Sequence, residues 1–309
     1  MSTRGESGAD ERRLLLSSAP AGAEIEGENS HGRDRKDSGV DYSRAVVPRL
    51  SVALLVRNER DRLPAALATV GWADEVLVVD TGSTDGTQEF ARAGGARVVE
   101  VPWEGYVTSR NRALALASND WVLFVDADER VPDALRDEIR TRLSADGETL
   151  AGLKMPRLST FLGRSVRHGA WAPDVQFRLG RRSRGFRVTG GRVHETFVAD
   201  GPVALLSSPL LHEPYRNLSD FLRKASLYAR LAAEDRRDTG QRSSLAGTFV
   251  RPVLEFLRSF IVKRGFLDGR TGVTVAFLQA WYYFLRAAFL REIERDGLVA
   301  SRRDGKGQG

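Results

Sequence analysis

Two carboxylates one residue apart, Asp126 and Asp128, follow the apolar run Trp121-Val-Leu-Phe-Val125. In an extended segment residues i and i+2 point the same way, so these two acids are predicted to converge at a strand end. Like charges held that close repel unless a cation lies between them. A hard divalent ion bound by one or two carboxylates keeps positions free for phosphate oxygens, which is what a diphosphate leaving group requires. The chain has no cysteine. That excludes a disulfide scaffold, an iron-sulfur cluster, a thiolate zinc site and a cysteine nucleophile, and leaves Mg²⁺ or Mn²⁺ as the expected cofactor.

More polar groups stand at the ends of neighbouring apolar runs. Asn58 and Glu59 follow Leu50–Val56, and Asp80 closes Glu75–Asp80. Both runs lack helical caps and read as buried strands. Leu63, Leu67 and Val70 between them make the stripe of an amphipathic helix, so the three pieces form a β-α-β unit. A short helix near Thr87–Ala93, a strand over Ala96–Val101, a helix over Asn111–Ala117, the strand Trp121–Val125 and a helix Asp133–Leu143 opened by Pro132 continue the alternation. Such spacing predicts an α/β fold with a mostly parallel sheet covered by helices. In an open parallel sheet ligands bind beyond the carboxyl ends of the strands, so polar groups at three such ends describe one crevice.

After Leu150 the alternation gives way to short Arg-rich and Gly-rich pieces, expected to wrap a site rather than build a core. Helix resumes over Ser219–Asp238, with Ser219 as the expected N-cap and Leu222, Ala225, Ala229 and Ala232 on one face. Two apolar stretches follow, Phe249–Val262 and Val273–Leu290. Residues 1–48 hold almost no large apolar side chains and are expected to be a disordered tail, as are 297–309. The remaining divisions are expected to be one domain over 49–215, with halves 49–148 and 149–215, and a helical region over 216–296.

The ordered series of motifs resembles family 2 glycosyltransferases of the GT-A fold, in the branch that builds lipopolysaccharide core and related surface glycans. Its parts are Val56-Arg-Asn-Glu59, Trp72 through Gly86, Pro102-Trp-Glu-Gly105, Arg110-Asn111, Asn119 through Glu129, Pro173-Asp174, Val193-His-Glu195, His212, Lys224 and Gly265-Phe-Leu-Asp-Gly269, so it spans about residues 50 to 290. The resemblance implies a Rossmann-like GT-A catalytic domain over 49–215, with a nucleotide-sugar half (49–148) and an acceptor half (149–215), and a C-terminal helical extension. It also implies an inverting, metal-dependent transfer of a sugar from a nucleotide-sugar donor to a hydroxyl of a glycan or glycolipid. Glu59 and Asp80 match residues that hold the base and ribose, Asp126 lies toward the ribose and metal, and Asp128 matches the metal-binding carboxylate. Asn58, Arg110 and Asn111 are expected at the donor pocket. Glu195 is the expected general base, with Asp174 second, and Arg178, Arg181 or Arg182 are expected to aid the leaving diphosphate.

Of the four histidines, His168, His194 and His212 fall in the second half, and one of them is a candidate to complete the metal shell. The formal charge of +6 implies anionic company. The only apolar cluster near the N-terminus, Leu14–Leu16, is too short for a signal-peptide core, which predicts a cytoplasmic protein. In the last third, Phe277, Trp281, Phe284 and Ala288 share one helical stripe and Leu278, Tyr282, Leu285 and Phe289 the next. Gln279, Tyr283 and Arg286 form a narrow polar strip. Arg286 within a short apolar run argues against a spanning helix. Arg251, Arg258, Lys263 and Arg264 suit anionic headgroups, so peripheral attachment at the inner face of the cytoplasmic membrane is expected, against packing on the domain or a dimer contact.

Two rival readings carry less. A sugar nucleotidyltransferase needs a Gly-rich phosphate loop after the first strand, where this chain reads Arg57-Asn-Glu-Arg-Asp-Arg62. A catalytically inactive binding protein remains conceivable by composition. Nucleic acid is not an expected partner, since no recognition helix, aromatic RNP pair or zinc finger is present.

Overall fold

Strand β1 (Leu50–Val56) is buried at six of its seven positions and forms the middle of the first half-sheet. Helix α1 (Leu63–Leu67) leads to β2 (Glu75–Asp80), α2 (Thr87–Ala93) to β3 (Arg97–Glu100), and α3 (Tyr106–Leu116) to β4 (Trp121–Phe124). These four strands are parallel, in the order β3-β2-β1-β4. The coordinates are a computed structural model that describes residues 48–190 and 195–304, with side-chain surroundings through 296. The expected tail over 1–48 lies outside the described residues save its last position.

Period-two alternation along β1 sets the two layers. Leu50, Val52, Leu54 and Val56 face a core shared with Leu63 and Ala66 of α1 and with Leu135, Ile139 and Leu143 of α4 (Asp133–Asp146). Ala53, with Leu77, Val79, Val122 and Phe124, faces the opposite core under Ala113 and Leu114 of α3. Helix α3 starts at Tyr106, five residues before the expected start at Asn111, because Gly105 with φ 87° turns the chain into it.

The second half departs from expectation. After the two-residue β5 (Glu129–Arg130) and α4, the segment after Leu150 supplies inner strands of the same sheet. Strand β6 (Gly152–Phe161), the short β7 (Arg164–Ser165) and β8 (Val175–Arg181) come first. Then follow β9 (Arg187–Gly190) and β10 (Glu195–Val198), paired antiparallel, and β11 (Val203–Leu205) and β12 (Leu210–His212). The sheet runs β3-β2-β1-β4-β8-β6-β12-β5, with β8 antiparallel to both β4 and β6. Leu153, Met155 and Leu179 belong to the main core. The arginines and glycines that disguised these strands have specific places, since Arg157 and Arg178 turn into the site and Gly152 and Gly180 face each other across β6 and β8.

Helix α5 (Leu218–Asp238) is capped by Asn217, whose Oδ1 accepts the Asp220 N–H at 2.9 Å. Ser219 therefore lies inside the first turn and is not the cap. A π turn (Ala246–Val250), α6 (Arg251–Leu257), a second π turn (Arg258–Val262) and a 3₁₀ turn (Gly265–Asp268) lead to the long α7 (Gly269–Asp304). The tail expected from 297 is thus helical through 304. A third core welds the helices to the sheet, with Phe161 and Val166 packed against Phe221 and Ala225 of α5 and Val275 and Leu278 of α7.

At the Gly152–Gly180 pair the rings of Phe177 and Phe186 lie where added methyl groups would stand. Gly180→Ala should therefore lower stability by about 1–3 kcal/mol through overpacking. Urea denaturation followed by circular dichroism measures it, and an unchanged midpoint would contradict the packing described.

Candidate active site

A cavity of about 990 Å³ opens at the carboxyl ends of β1 and β4 and is walled on its other side by α5 and α7. Asp126 and Asp128 both line it, although the segment bearing them is not extended. The Glu129 N–H bonds the Asp126 carbonyl at 2.9 Å, closing a turn in which Asp126 and Asp128 still reach the same space.

The two acids meet opposite surroundings. Asp126 accepts from Arg110 (Nη2, 2.9 Å) and from Arg178 (Nη2, 2.8 Å). Burial by itself would raise its carboxyl, but Arg110 and then Arg178 outweigh burial and hold it far below the usual value. Glu129, fully buried, accepts the Asp126 N–H at 3.0 Å on Oε2. Its Oε1 accepts from Arg157 at 3.2 Å and lies 3.4 Å from Arg178. Among the described residues Asp128 accepts a side-chain hydrogen bond from Arg62 alone, at 3.2 Å. Burial first, then repulsion from Asp126 and Glu129, pushes its carboxyl up to about 7.

Strand β12 pairs antiparallel with β5 and sets His212 opposite Glu129. The imidazole places Nε2 3.8 Å from Asp128 Oδ1, while Nδ1 shares a hydrogen bond with the Ser159 hydroxyl at 2.9 Å. Burial, reinforced by Arg157, pushes its pKa down to about 3, so the ring is neutral and keeps a lone pair available. His168 is engaged elsewhere, with Nδ1 2.8 Å from Asp268. His194 lies outside the described residues.

A carboxylate whose burial disfavours its charge, beside a neutral imidazole, is a donor set suited to a divalent cation, which would stabilise the ionised acid. No cluster of three or more acid or histidine ligands occurs among the described residues. Asp128 and His212 could thus contribute two positions to the shell of an ion that also takes phosphate oxygens and water.

The other expected residues divide. Glu59 lines the cavity, and its Oε2 is buried without a hydrogen-bond partner. Asp80, expected in the donor site, is fully buried at the end of β2 and does not itself line the cavity. Its Oδ1 accepts from the Gly82 and Ser83 N–H groups and from Gln88, while Oδ2 is unpartnered. Asn58 does not reach the cavity. It adopts φ 55° and its Oδ1 accepts the Thr84 N–H, fastening β1 to the loop before α2. Asn111, expected in the donor pocket, has both amide atoms bonded to the backbone of Val188 and pins α3 to β9 instead.

Glu195 lines the cavity and accepts from Arg110 Nε at 3.0 Å through Oε1. Asp174 does not line it. Its carboxylate accepts from Arg157 at 2.7 Å on one oxygen and from Gln176 at 2.5 Å on the other. Arg181 and Arg182 also lie away from it. Arg181 stands opposite Trp121, at the far end of β4, and pairs with Asp120, and Arg182 donates to the Ala117 carbonyl. The cations that do line it, besides Arg178 and Arg110, include Arg62 and Lys224, the latter donating to the Pro214 carbonyl at 2.8 Å. Trp103 and Tyr106, packed edge to face at 4.8 Å, and Tyr228 add half-exposed aromatic rings to the wall. Sequence reasoning gave Arg62, Arg157, Glu129 and these rings no role. Glu129 adjoins the Asp126-Ala-Asp128 motif, which was the available signal for it.

Residues 51–196 match the family model described as Glycosyl transferase family 2. This chain carries a family 2 glycosyltransferase domain. Its relatives include an uncharacterised glycosyltransferase of Rickettsia typhi, 29% identical over 255 residues, covering 79% of this chain and 87% of that one. The lipopolysaccharide core biosynthesis glycosyltransferase LpsC of Rhizobium meliloti is 29% identical over 258 residues, covering 79% of this chain and 95% of that one. Among solved structures, glucosyl-3-phosphoglycerate synthase from Mycobacterium tuberculosis, in complex with Mn²⁺, UDP and glucosyl-3-phosphoglycerate, is 30% identical. That match covers 37% of this chain and 44% of the other, with a TM-score of 0.31. The expected GT-A class, a helix-covered sheet with a helical C-terminal region, is the fold observed.

The charge balance of the domain's acidic cluster has measurable consequences. Between the ordinary Asp pKa of about 3.9 and about 7, the folded chain keeps an Asp128 proton that the unfolded chain has lost. Stability in chelator-treated buffer should therefore fall as pH rises through that window, and Asp128→Asn should remove this fall. Glu129→Ala, which strips buried Arg157 and Arg178 of a shared partner, should instead cost about 3–5 kcal/mol. Urea titrations of the three proteins across the pH range check both signs.

Proposed function

We propose that this chain is an inverting, metal-dependent glycosyltransferase. It moves a sugar from a nucleotide-sugar donor to a hydroxyl of a glycan or glycolipid acceptor of the lipopolysaccharide-core type, at the cytoplasmic face of an anionic membrane. The observation that carries this reading is that Asp128, poorly compensated, and Glu195, whose Oε2 accepts no hydrogen bond from the described residues, line one cavity in a family 2 glycosyltransferase domain. The name of LpsC supports the acceptor class.

Glu59 Oε2 and Asp80 Oδ2, buried acceptors without donors, suit the N–H and O–H groups of a base and ribose. Asp128 and His212 would hold Mg²⁺ or Mn²⁺, which as a Lewis acid neutralises charge on a departing diphosphate. Arg62 and Lys224 add cationic charge on the same wall. Trp103, Tyr106 and Tyr228 offer ring faces to the apolar side of a sugar.

Glu195 accepts the proton of the attacking hydroxyl as the new bond to the anomeric carbon forms and the bond to the diphosphate oxygen breaks. One displacement inverts that carbon, and the nucleoside diphosphate leaves. Arg110, bonded to Glu195 through Nε and to Asp126 through Nη2, fixes the base relative to the acidic cluster. Asp174 has both oxygens bonded and serves to position Arg157.

Incubation with a panel of nucleotide sugars and Mn²⁺ should release nucleoside diphosphate from at least one of them. Release of pyrophosphate from a nucleoside triphosphate and sugar phosphate would instead favour a nucleotidyltransferase. Glu195→Gln should lower kcat by about 10²–10⁴-fold while the dissociation constant for nucleoside diphosphate and Mn²⁺ changes little. Full turnover in that variant would remove Glu195 from the role.

A further inference from the structure

The outer side of the C-terminal helices is apolar and cationic at once. Phe249, Val253, Leu254, Leu257, Phe277 and Trp281 are each between 38% and 61% exposed, an extent that a protein surface ordinarily avoids. Apolar residues alone, among them Val253, Phe256, Phe277, Trp281 and Phe284, line a groove of about 370 Å³ between α6 and α7.

Charge on this surface has one sign. From Leu245 to Phe284 the only acids are Glu255 and Asp268, against Arg251, Arg258, Lys263, Arg264 and Arg270. Both acids are turned inward. The Glu255 side chain is 8% exposed and held by Arg251 and Arg258. Asp268 is 6% exposed and accepts the N–H groups of Arg167 and His168. Basic and apolar groups are what remains outside, a combination complementary to an anionic lipid surface.

Helix α7 is long and apolar enough to cross a membrane by composition. Its inner face is instead committed to the protein, because Val275 and Leu278 are buried against Phe161, Val166 and Phe221. At about 100° per residue, Phe277, Trp281 and Phe284 lie opposite Gln279 and Tyr282, which line the catalytic cavity.

We propose that α6, α7 and their π turns lie flat in the interface of an anionic bilayer, with the groove side embedded and the arginines among the headgroups. This takes up the membrane partner of the proposed function and names the surface that meets it. The catalytic cavity then lies one helix thickness above the lipid, about 10 Å, which suits an acceptor sugar close to its lipid anchor.

Sedimentation of the full chain with phosphatidylcholine vesicles, with and without phosphatidylglycerol, tests it. Binding should require phosphatidylglycerol and weaken with salt. Arg264→Gln and Arg270→Gln should each weaken it about fivefold, and Val253→Glu with Phe277→Glu should weaken it by about tenfold or more. Both glutamates replace exposed side chains, and an unchanged melting temperature confirms that the variant is folded. Phe277→Ser serves as a milder substitute if it is not. Absence of wild-type binding at low salt, or equal binding by the folded variants, overturns the proposal. A dimer in sedimentation velocity that the same substitutions dissolve, without vesicle binding, assigns the face to a second copy and also overturns it. Vesicle binding needs no sugar nucleotide, so this outcome and that of the donor assay are read independently.

Discussion

Three acids within four residues, Asp126, Asp128 and Glu129, are packed at the end of a central strand, Glu129 fully buried and the other two largely so, where water screens them poorly. Unassisted, that arrangement would be strongly unfavourable, since buried like charges lose hydration and repel. Arg110 from α3, Arg178 from β8, Arg157 from β6 and Arg62 at the entry to α1 supply the compensation. The fold has to deliver these four guanidinium groups from four separate stretches of chain to one place. Asp126 and Glu129 receive two each, whereas Asp128 receives one and sits with a neutral imidazole.

This requirement gives a physical reason for inserting β8 and β6 beside β4. An antiparallel β8 running back along β4 sets Arg181 against Trp121 at the far end and carries Arg178 to the Asp126 end. A parallel neighbour in the same register would reverse that placement. Close approach of β6 and β8 depends on Gly152 and Gly180, over which Phe177 and Phe186 lie. The opposite-face core that includes Phe186, Val188 and Phe197 then supports Arg110 and Arg178 from below, with Phe197 5.6 and 5.5 Å from the two guanidinium carbons.

The first half of the chain was legible chiefly in its strands, which carry runs rich in Val and Leu, whereas α1 ends at Leu67, short of the expected stripe residue Val70, and α3 starts early. Strands β1 and β2 and helix α2 begin and end where the pattern places them. The second half was not, because β6 and β8 give positions to Lys154, Pro156, Arg157, Gln176 and Arg178 and interrupt the apolar run. Their identity as strands follows from partners far along the chain, which local patterning does not encode. The same limit applies to single residues. Asn111 and Arg110 are adjacent in one motif, yet helical geometry turns one to Val188 and the other to the acids. Ser219 and Asn217 are both good cap types, and backbone geometry selected Asn217.

Where compensation stops is as informative as where it succeeds. Native interiors satisfy nearly all buried polar atoms, and those left over call for a reason. Among the described residues the unsatisfied side-chain atoms belong to Glu59, Asp80, Ser109, Arg110, Arg178 and Arg286. Three of these, Glu59, Arg110 and Arg178, line the cavity at the carboxyl ends of β1 and β4, and Asp80 ends the strand beside it, paired in register with Val56, which also lines it. A network evolved only for stability would have closed these bonds and would have given Asp128 a second guanidinium. Concentrating both defects at the carboxyl ends of adjacent parallel strands lowers the stability of the isolated protein and leaves directed acceptors and donors for a polar ligand such as the one proposed. Asn58 and Asp85 illustrate the contrast at the same strand ends, for their side chains accept from Thr84, Thr87 and the Arg60 N–H and close the loop around Asp80. Rigid, fully bonded neighbours thus hold under-bonded groups in place, which is the condition under which a binding site can be pre-organised.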